Sequence, residues 1–239
     1  MASIRSLAGC IDVSGGFTIL GEFFGFWRRR LPPDPTGARV AVSLLSQARL
    51  LRGEHIHLNV VAVGSDSFTD AENQQIDYSL YRIRNIYAAV GVGVGRVRHY
   101  GVLAADAGGL DNVTSEDEME EIAQTWRVDN DGIDVFIPFA MNVPSDGGFL
   151  LGLSPVPGPC EEKDDKGMNG SMVGMFGSEQ TSRSFSHEVG HYLDLEHRNG
   201  SPTNLMCQSG SASSIRNSVV LWASQGNDMK AHCLCKDNC

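Results

Sequence analysis

The sequence lacks the long apolar run of a membrane span, and it has few basic residues. No apolar run approaches the roughly 18 residues that a membrane-spanning helix needs. Lysine and arginine together number 19, against 29 aspartates and glutamates, so the formal net charge is −10. An acidic chain is repelled by phosphate groups. The composition therefore predicts no membrane span, no anionic-membrane partner and no nucleic-acid partner.

The N-terminus also lacks the basic segment followed by an apolar segment that is typical of a signal peptide. The cysteines nevertheless indicate an extracellular protein, because an even number with crowding at the C-terminus is typical of disulfide-bonded proteins in oxidising compartments. The six are Cys10, Cys160, Cys207, Cys233, Cys235 and Cys239. We therefore favour a secreted, disulfide-bonded protein. A second zinc site in the cysteine tail beside His232 and free thiols are the alternatives.

The most informative stretch is residues 181–206, which contains three histidines and a glutamate at a characteristic spacing. On a helix, His187 and His191 lie one turn apart on the same face, so both imidazoles can converge on one point. Three protein ligands and one open position form a catalytic zinc site. His197 completes the set if the chain bends sharply after the helix. Glu188 lies beside this point and can take a proton from water that zinc activates.

These residues resemble the metzincin clan of zinc metallopeptidases, whose pattern is HExxHxxGxxH followed by a methionine turn. The resemblance implies that His187, His191 and His197 bind one zinc ion. It also implies that Glu188 is the general base and that Met206 is the Met-turn residue beneath the metal.

Two positions depart from the family pattern. Asp194 stands where the family has glycine, and we expect it to make the bend because aspartate tolerates a positive φ better than most residues. Gln208 stands two residues after Met206, where some metzincins have a tyrosine ligand.

Strand and helix patterns alternate around the motif. Apolar patterns predict strands at residues 55–63, 92–103, 133–139, 148–153 and 171–176. Helices are expected at residues 70–90, 114–126 and about 214–224, the first capped by Thr69 or Asp70 and the second by Thr114 or Ser115.

This order resembles the upper lobe of a metzincin. The resemblance implies an α/β (α+β) fold with a twisted five-stranded mixed sheet, backing helices, the zinc helix at the cleft and a small C-terminal lobe. It further implies that the fourth strand is the sheet edge that pairs with an extended substrate. The residues concerned are Gly148, Phe149, Leu150 and Leu151.

The domain expectation is a metallopeptidase catalytic domain over residues 54–239, with an upper lobe at 54–193 and a lower lobe at 194–239. Residues 1–53 show no sustained hydrophobic periodicity, and we interpret them as an N-terminal extension. The alternative is a prosegment in which Cys10 or Asp12 binds the open zinc position, since thiolate and carboxylate are both zinc ligands.

Two other polar features are weaker candidates. His55 and His57 lie two residues apart on a predicted strand, but no third ligand is near, so we expect an exposed strand face rather than a metal site. The polar loop at residues 160–167 could hold calcium, yet its spacing matches no EF-hand and we interpret it as a surface loop.

We therefore expect a zinc-dependent metalloendopeptidase that acts as a monomer on protein or peptide substrates. One alternative is a zinc hydrolase or secreted effector with one narrow target. The other is a catalytically silent, zinc-stabilised binding protein. The free carboxylate of Glu188 argues against the silent protein, because a structural zinc site has no open position to use it.

Overall fold

The structure is a computed structural model that describes residues 49–146, 148–160, 168–208 and 216–237. Most of the proposed N-terminal extension, with Cys10 and Asp12, lies outside the described residues. The same holds for the candidate calcium loop at 161–167, for residues 209–215 and for Cys239.

The described chain alternates between strands and helices. The strands are β1 (His55–Val63), β2 (Gly93–Val102), β3 (Asn112–Val113), β4 (Ile133–Pro138), β5 (Ala140–Met141), β6 (Pro144–Ser145), β7 (Gly148–Phe149), β8 (Gly152–Leu153) and β9 (Ser171–Val173). The helices are α1 (Asp70–Ala88), α2 (Glu116–Thr125), α3 (Ser178–Tyr192) and α4 (Ala223–Ala231).

A five-stranded mixed sheet forms the centre, in the order β2-β1-β4-β9-β8. The first four of these strands are parallel, and β8 runs antiparallel to β9 at the edge. The expected five-stranded mixed sheet with helices is confirmed. The central strands β1 and β4 are almost continuously buried, as is typical of parallel strands covered on both faces.

Alternate residues of β1 face two different hydrophobic clusters. Ile56, Leu58 and Val60 belong to the cluster that includes side chains of α1 and α3. Val61 and Val63 belong to the second cluster, which includes side chains of α2. The period of two along a strand thus places α1 and α3 on one face of the sheet and α2 on the other.

The starts of two helices follow from their first residues. Thr69 caps α1 in a reciprocal capping box with Glu72, and Ser115 caps α2 in the same way with Glu118. Each box pairs backbone N–H groups that a helix start leaves without partners. Both caps are among those the sequence predicted.

Some predicted elements are shorter or shifted. The strand expected at 148–153 is divided, because β7 pairs with β6 in a hairpin and only β8 joins the main sheet. The strand expected at 171–176 ends at Val173. The helix expected near 214–224 was wrong over residues 216–222, where Val220 instead exchanges backbone hydrogen bonds with Thr203 and Leu205. The helix of this region is α4, which begins later.

The expectation that His55 and His57 form an exposed strand face was wrong. The two residues are 1% and 4% exposed. They lie near the start of the central strand β1, and Lys236 of the C-terminal tail exchanges two backbone hydrogen bonds with His55. On the other side, Gly95 of β2 lets the His57 ring approach closely: a Cβ at residue 95 would be 2.9 Å from that ring.

In the described parts of the chain, no helix is both long enough and apolar enough to cross a membrane.

Candidate active site

Helix α3 carries two of the candidate ligands, and its other side is packed into the core. Phe185 and Val189 are completely buried. Two tyrosines of α1 bind α3: Tyr78 donates to the Glu179 carboxylate at 2.5 Å, and the Tyr87 hydroxyl donates to the Ser186 carbonyl at 2.8 Å. The apolar packing and the two tyrosine hydrogen bonds together fix the rotation of α3 about its own axis.

The end of α3 supplies the bend that the third histidine needs. The N–H of Leu195 donates to the Gly190 carbonyl, and the N–H of Asp194 donates to the His191 carbonyl. This pair of bonds is a Schellman motif, which places a left-handed residue just after the helix. Asp194 is that residue, with φ 71°. The expectation that Asp194 makes the bend is confirmed.

The bend brings the three histidines together. The ligand nitrogens of His187, His191 and His197 all lie within 4.8 Å of one another. The Nε2 atoms of His191 and His197 are 3.0 Å apart. This is an arrangement in which three imidazoles can share one metal ion.

Hydrogen bonds to backbone carbonyls fix the tautomers of the two helical histidines. His187 Nδ1 donates to the Leu205 carbonyl at 2.8 Å, and His191 Nδ1 donates to the Leu195 carbonyl at 2.6 Å. Because a carbonyl only accepts, each Nδ1 carries the proton and each Nε2 keeps its lone pair. Carbonyl partners of this kind usually orient histidines that bind metals.

The electrostatic environment keeps these imidazoles neutral. Burial, and next the charge of Arg183, lower the pKa of His187 well below its usual value. Burial, and next the neighbouring His197, lower the pKa of His191 to about 4. Burial also lowers the pKa of His197, with a further contribution from Arg183. Neutral imidazole is the form that binds zinc. The donor set, its tautomers and its charge state therefore fit a zinc ion.

Glu188 lies beneath the edge strand and is 6% exposed. A Cβ at Gly152 of β8 would be 2.6 Å from Glu188 Cγ, so the strand backbone covers this carboxyl group directly. Burial raises the pKa of Glu188 to about 8, and the positive charge of Arg183 opposes that shift. A group that takes and returns a proton works best with a pKa near the working pH.

Met206 packs against the helix that carries His187 and His191. It is completely buried, and its Sδ would be 3.0 Å from a Cβ at Gly190, which lies next to His191. Its carbonyl accepts from the N–H of Arg198, the residue after His197, at 2.8 Å. The backbone of residue 206 is thus joined to the segment that carries the third histidine.

Arg183 was not predicted as a functional residue from the sequence. This residue is 4% exposed and donates from Nη2 to the carbonyls of Leu205, at 2.8 Å, and of Cys207. Burial lowers its pKa to about 10, so it remains protonated at neutral pH. The signal was its position four residues before His187, on the same helical face.

A buried amide pair was also missed. Asn204 donates to the Gln225 side chain of α4 at 2.8 Å, and its own side-chain oxygen accepts from the N–H of Met206 at 2.9 Å. Both amides are at most 1% exposed. They attach the turn around Met206 to the C-terminal helix, and no pattern in the sequence links the two residues.

The predicted substrate-edge residues do not form one strand. Gly148 and Phe149 pair with β6, while the Leu151 carbonyl accepts from the N–H of Gly174 at 3.0 Å. The sheet edge itself is β8, and Phe149 is 59% exposed.

A disulfide joins the C-terminal tail to the loop after β8. Cys160 bonds to Cys233, which takes Cys233 out of the alternative second zinc site although His232 lies nearby. Cys235 is a free thiol. The disulfide is compatible with an extracellular location.

The same loop contacts the end of α3. The N–H of Gly158 donates to the Tyr192 carbonyl at 2.9 Å, and the Tyr192 hydroxyl donates to the Pro159 carbonyl at 3.0 Å. The disulfide therefore lies close in sequence to a contact with the residue that follows His191.

Comparison with known proteins identifies solved structures that have a similar fold. No protein-family model matches the sequence, and no curated protein matches it. Archaemetzincin from Methanopyrus kandleri is similar in structure, with TM-score 0.50 and 14% identity over 73% of this chain and 93% of that one. Metalloproteinase-II from Bacteroides fragilis has TM-score 0.50 and 12% identity over 74% of this chain and 52% of that one. The chain has a metallopeptidase-like fold.

Proposed function

We propose that this protein is a zinc-dependent endopeptidase of the metzincin type. The observation that carries the proposal is the convergence of three histidine nitrogens within 4.8 Å, from a helix and from the bend that follows it. His187, His191 and His197 are the proposed ligands. The similarity to the fold of archaemetzincin and of a metalloproteinase supports the same assignment.

The chemistry divides between the metal and the chain. Zinc, when bound by the three histidines, supplies Lewis-acid activation of a water molecule and of the scissile carbonyl. Glu188 accepts a proton from that water at a carboxylate oxygen and returns it to the nitrogen of the leaving amine. The backbone of Gly152 keeps bulk water away from one side of the carboxyl group, because it lies in contact with it. Met206 packs behind the ligand helix and limits its movement.

Substrate binding is proposed at the edge of the sheet. β8 pairs on one side with β9 and is the last strand of the sheet, so an extended peptide can pair with its other side. Residues 148–151 (Gly148, Phe149, Leu150 and Leu151) would continue this surface, with the exposed ring of Phe149 beside the peptide. The cleft then lies between an upper lobe at residues 54–193 and a lower lobe at 194–239. The enzyme acts as a secreted monomer.

The test combines metal content with peptide cleavage. We expect about one zinc per chain by elemental analysis, and cleavage of a denatured protein that a chelator stops. Glu188→Ala should keep the zinc and lose at least about 100-fold in activity, the usual size of a lost general base. Glu196→Gln changes an exposed carboxylate of the neighbouring segment and is the matched control, with activity close to wild type.

Zinc binding without cleavage in wild type and Glu188→Ala would support the silent binding protein instead. Full zinc occupancy and activity in His197→Ala would refute the metzincin assignment, because the third ligand would then lie elsewhere.

A further inference from the structure

Arg183 makes the contact that joins the ligand helix to the turn around Met206. It lies in α3, one turn before His187, and its side chain is buried on the same helical face. The guanidinium donates to the carbonyls of the two residues that flank Met206, Leu205 and Cys207. One side chain thus holds both sides of that turn.

One of these carbonyls also orients a candidate ligand. The Leu205 carbonyl accepts from Arg183 Nη2 and from His187 Nδ1, both at 2.8 Å. A shift of this oxygen would therefore change the direction of His187 Nε2. Partners that orient a ligand in this way commonly contribute about 10–100-fold to metal affinity.

The same turn is connected to the third histidine. The Met206 carbonyl accepts from the N–H of Arg198, which follows His197 directly. Arg183 is therefore linked through the turn to His187 on the helix and to His197 beyond the bend.

The chemistry of this contact favours arginine. Both carbonyls accept from one nitrogen, Nη2. The planar guanidinium holds the two N–H groups of that nitrogen in fixed directions. Lysine carries the same charge, but its nitrogen lies one bond nearer the backbone and its N–H groups rotate freely, so it does not hold the two carbonyls in fixed directions.

We propose that Arg183 is a positioning residue of the metal site, which fixes the turn at residues 205–207 and through it the directions of His187 and His197. The inference rests on the proposed function, because it concerns the same zinc ligands. Its readouts are metal affinity and ligand geometry, so it can fail while the peptidase assignment stands, and the reverse is also possible.

The experiment compares Arg183→Met and Arg183→Lys with wild type. Zinc affinity is measured by competition with a chromophoric chelator, and ligand geometry by the visible spectrum of the cobalt-substituted protein. Both variants should lose about 10–100-fold in zinc affinity and show a changed cobalt spectrum. Arg216→Met removes an exposed arginine of the C-terminal segment and is the matched control for the loss of one charge; its affinity and spectrum should equal those of wild type.

Two results would overturn the proposal. The first is a wild-type zinc affinity and cobalt spectrum in Arg183→Met. The second is loss of the fold in both metal-free variants by circular dichroism, because Arg183 would then stabilise the whole domain rather than the metal site. Failure of the peptidase proposal is separate: it would show as zinc bound by wild type without chelator-sensitive cleavage.

Discussion

Gly152 of the edge strand lies directly against Glu188 of the ligand helix. A Cβ at residue 152 would be 2.6 Å from Glu188 Cγ and 2.8 Å from its Cδ. The Met172 carbonyl of the neighbouring strand would be 2.7 Å away, so the new atom would have no free direction. The lack of a side chain at this one position lets the proposed substrate strand and the proposed general base share the same space.

Gly152→Ala should therefore impair catalysis without removing the metal. Either the carboxyl group of Glu188 or the strand β8 must move, and a small displacement of a catalytic group commonly costs about 100-fold in rate. We expect kcat/KM to fall at least about tenfold while elemental analysis still finds the wild-type zinc content.

The control for this substitution is Gly200→Ala, because a Cβ at residue 200 has no neighbour within 4 Å. Wild-type kcat/KM in Gly152→Ala would show that Glu188 does not need its present position, and the role proposed for it would have to be abandoned.

Asp194 provides a test of the bend after the ligand helix. Its φ of 71° lies in the left-handed region, where aspartate is tolerated and a β-branched residue is strongly disfavoured. Asp194→Val should lower the free energy of unfolding by about 1–3 kcal/mol. Asp194→Gly should keep it within about 1 kcal/mol of wild type and retain zinc. Urea denaturation of the three proteins measures both values, and equal stability of the valine and glycine variants would contradict the left-handed conformation.

The sequence allowed the clustering of the histidines and the sheet to be predicted for local reasons. His187 and His191 are one helical turn apart, so their shared face depends only on helix geometry. The apolar runs of β1 and β4 are visible because both faces of a central parallel strand are buried. Asp194 could be placed in the bend because few non-glycine residues adopt a positive φ.

The contacts that could not be predicted from the sequence join residues that are distant along the chain. Arg183 binds carbonyls that lie 22 and 24 residues away, and carbonyls are present at every residue, so no pattern marks them. Asn204 and Gln225 are 21 residues apart and pair through an interaction that any two amides could make. His57 was assigned to an exposed face because its burial depends on β2 and on the C-terminal tail, which periodicity along one strand does not reveal.

The disulfide between Cys160 and Cys233 should contribute substantially to stability. It closes a sequence separation of 73 residues. The chain-entropy relation gives about 4 kcal/mol for a loop of that length. The double variant Cys160→Ser with Cys233→Ser should lose about this much in urea unfolding, and wild type with a reductant should resemble it.

Thiol labelling of the unreduced protein, both folded and unfolded, checks the cysteine pairing itself. Cys160 and Cys233 should resist alkylation until a reductant is added, whereas Cys235, a partly buried free thiol, should react without reductant once the chain is unfolded. Labelling of Cys160 and Cys233 in the unfolded but unreduced chain would contradict the disulfide.

The buried His57 should make the fold sensitive to acid. Burial, and next the charge of Arg96, lower its pKa from 6.5 to about 4. As the pH falls from 6.5 to 4, the unfolded chain therefore takes up a proton at this residue and the folded chain does not. The contribution of His57 to stability is fully present above the pKa of the unfolded chain, and it is lost as the pH falls towards the pKa of the folded chain. At 1.36 kcal/mol per pKa unit, the loss attributable to His57 reaches about 3 kcal/mol near pH 4.

Urea unfolding of the metal-free protein between pH 4 and 8 measures this effect. His187, His191 and His197 also have lowered pKa values and add to the loss of stability in the same pH range, so the comparison with His57→Gln isolates the single residue. In His57→Gln the free energy of unfolding should decline less steeply with falling pH, by a slope that corresponds to about one proton. The control is His99→Gln, which changes an exposed histidine of the same sheet and should follow wild type. Parallel curves for wild type and His57→Gln would mean that His57 takes up its proton equally well in the folded chain, and that Asp131, 4.0 Å from its Nε2, compensates for burial.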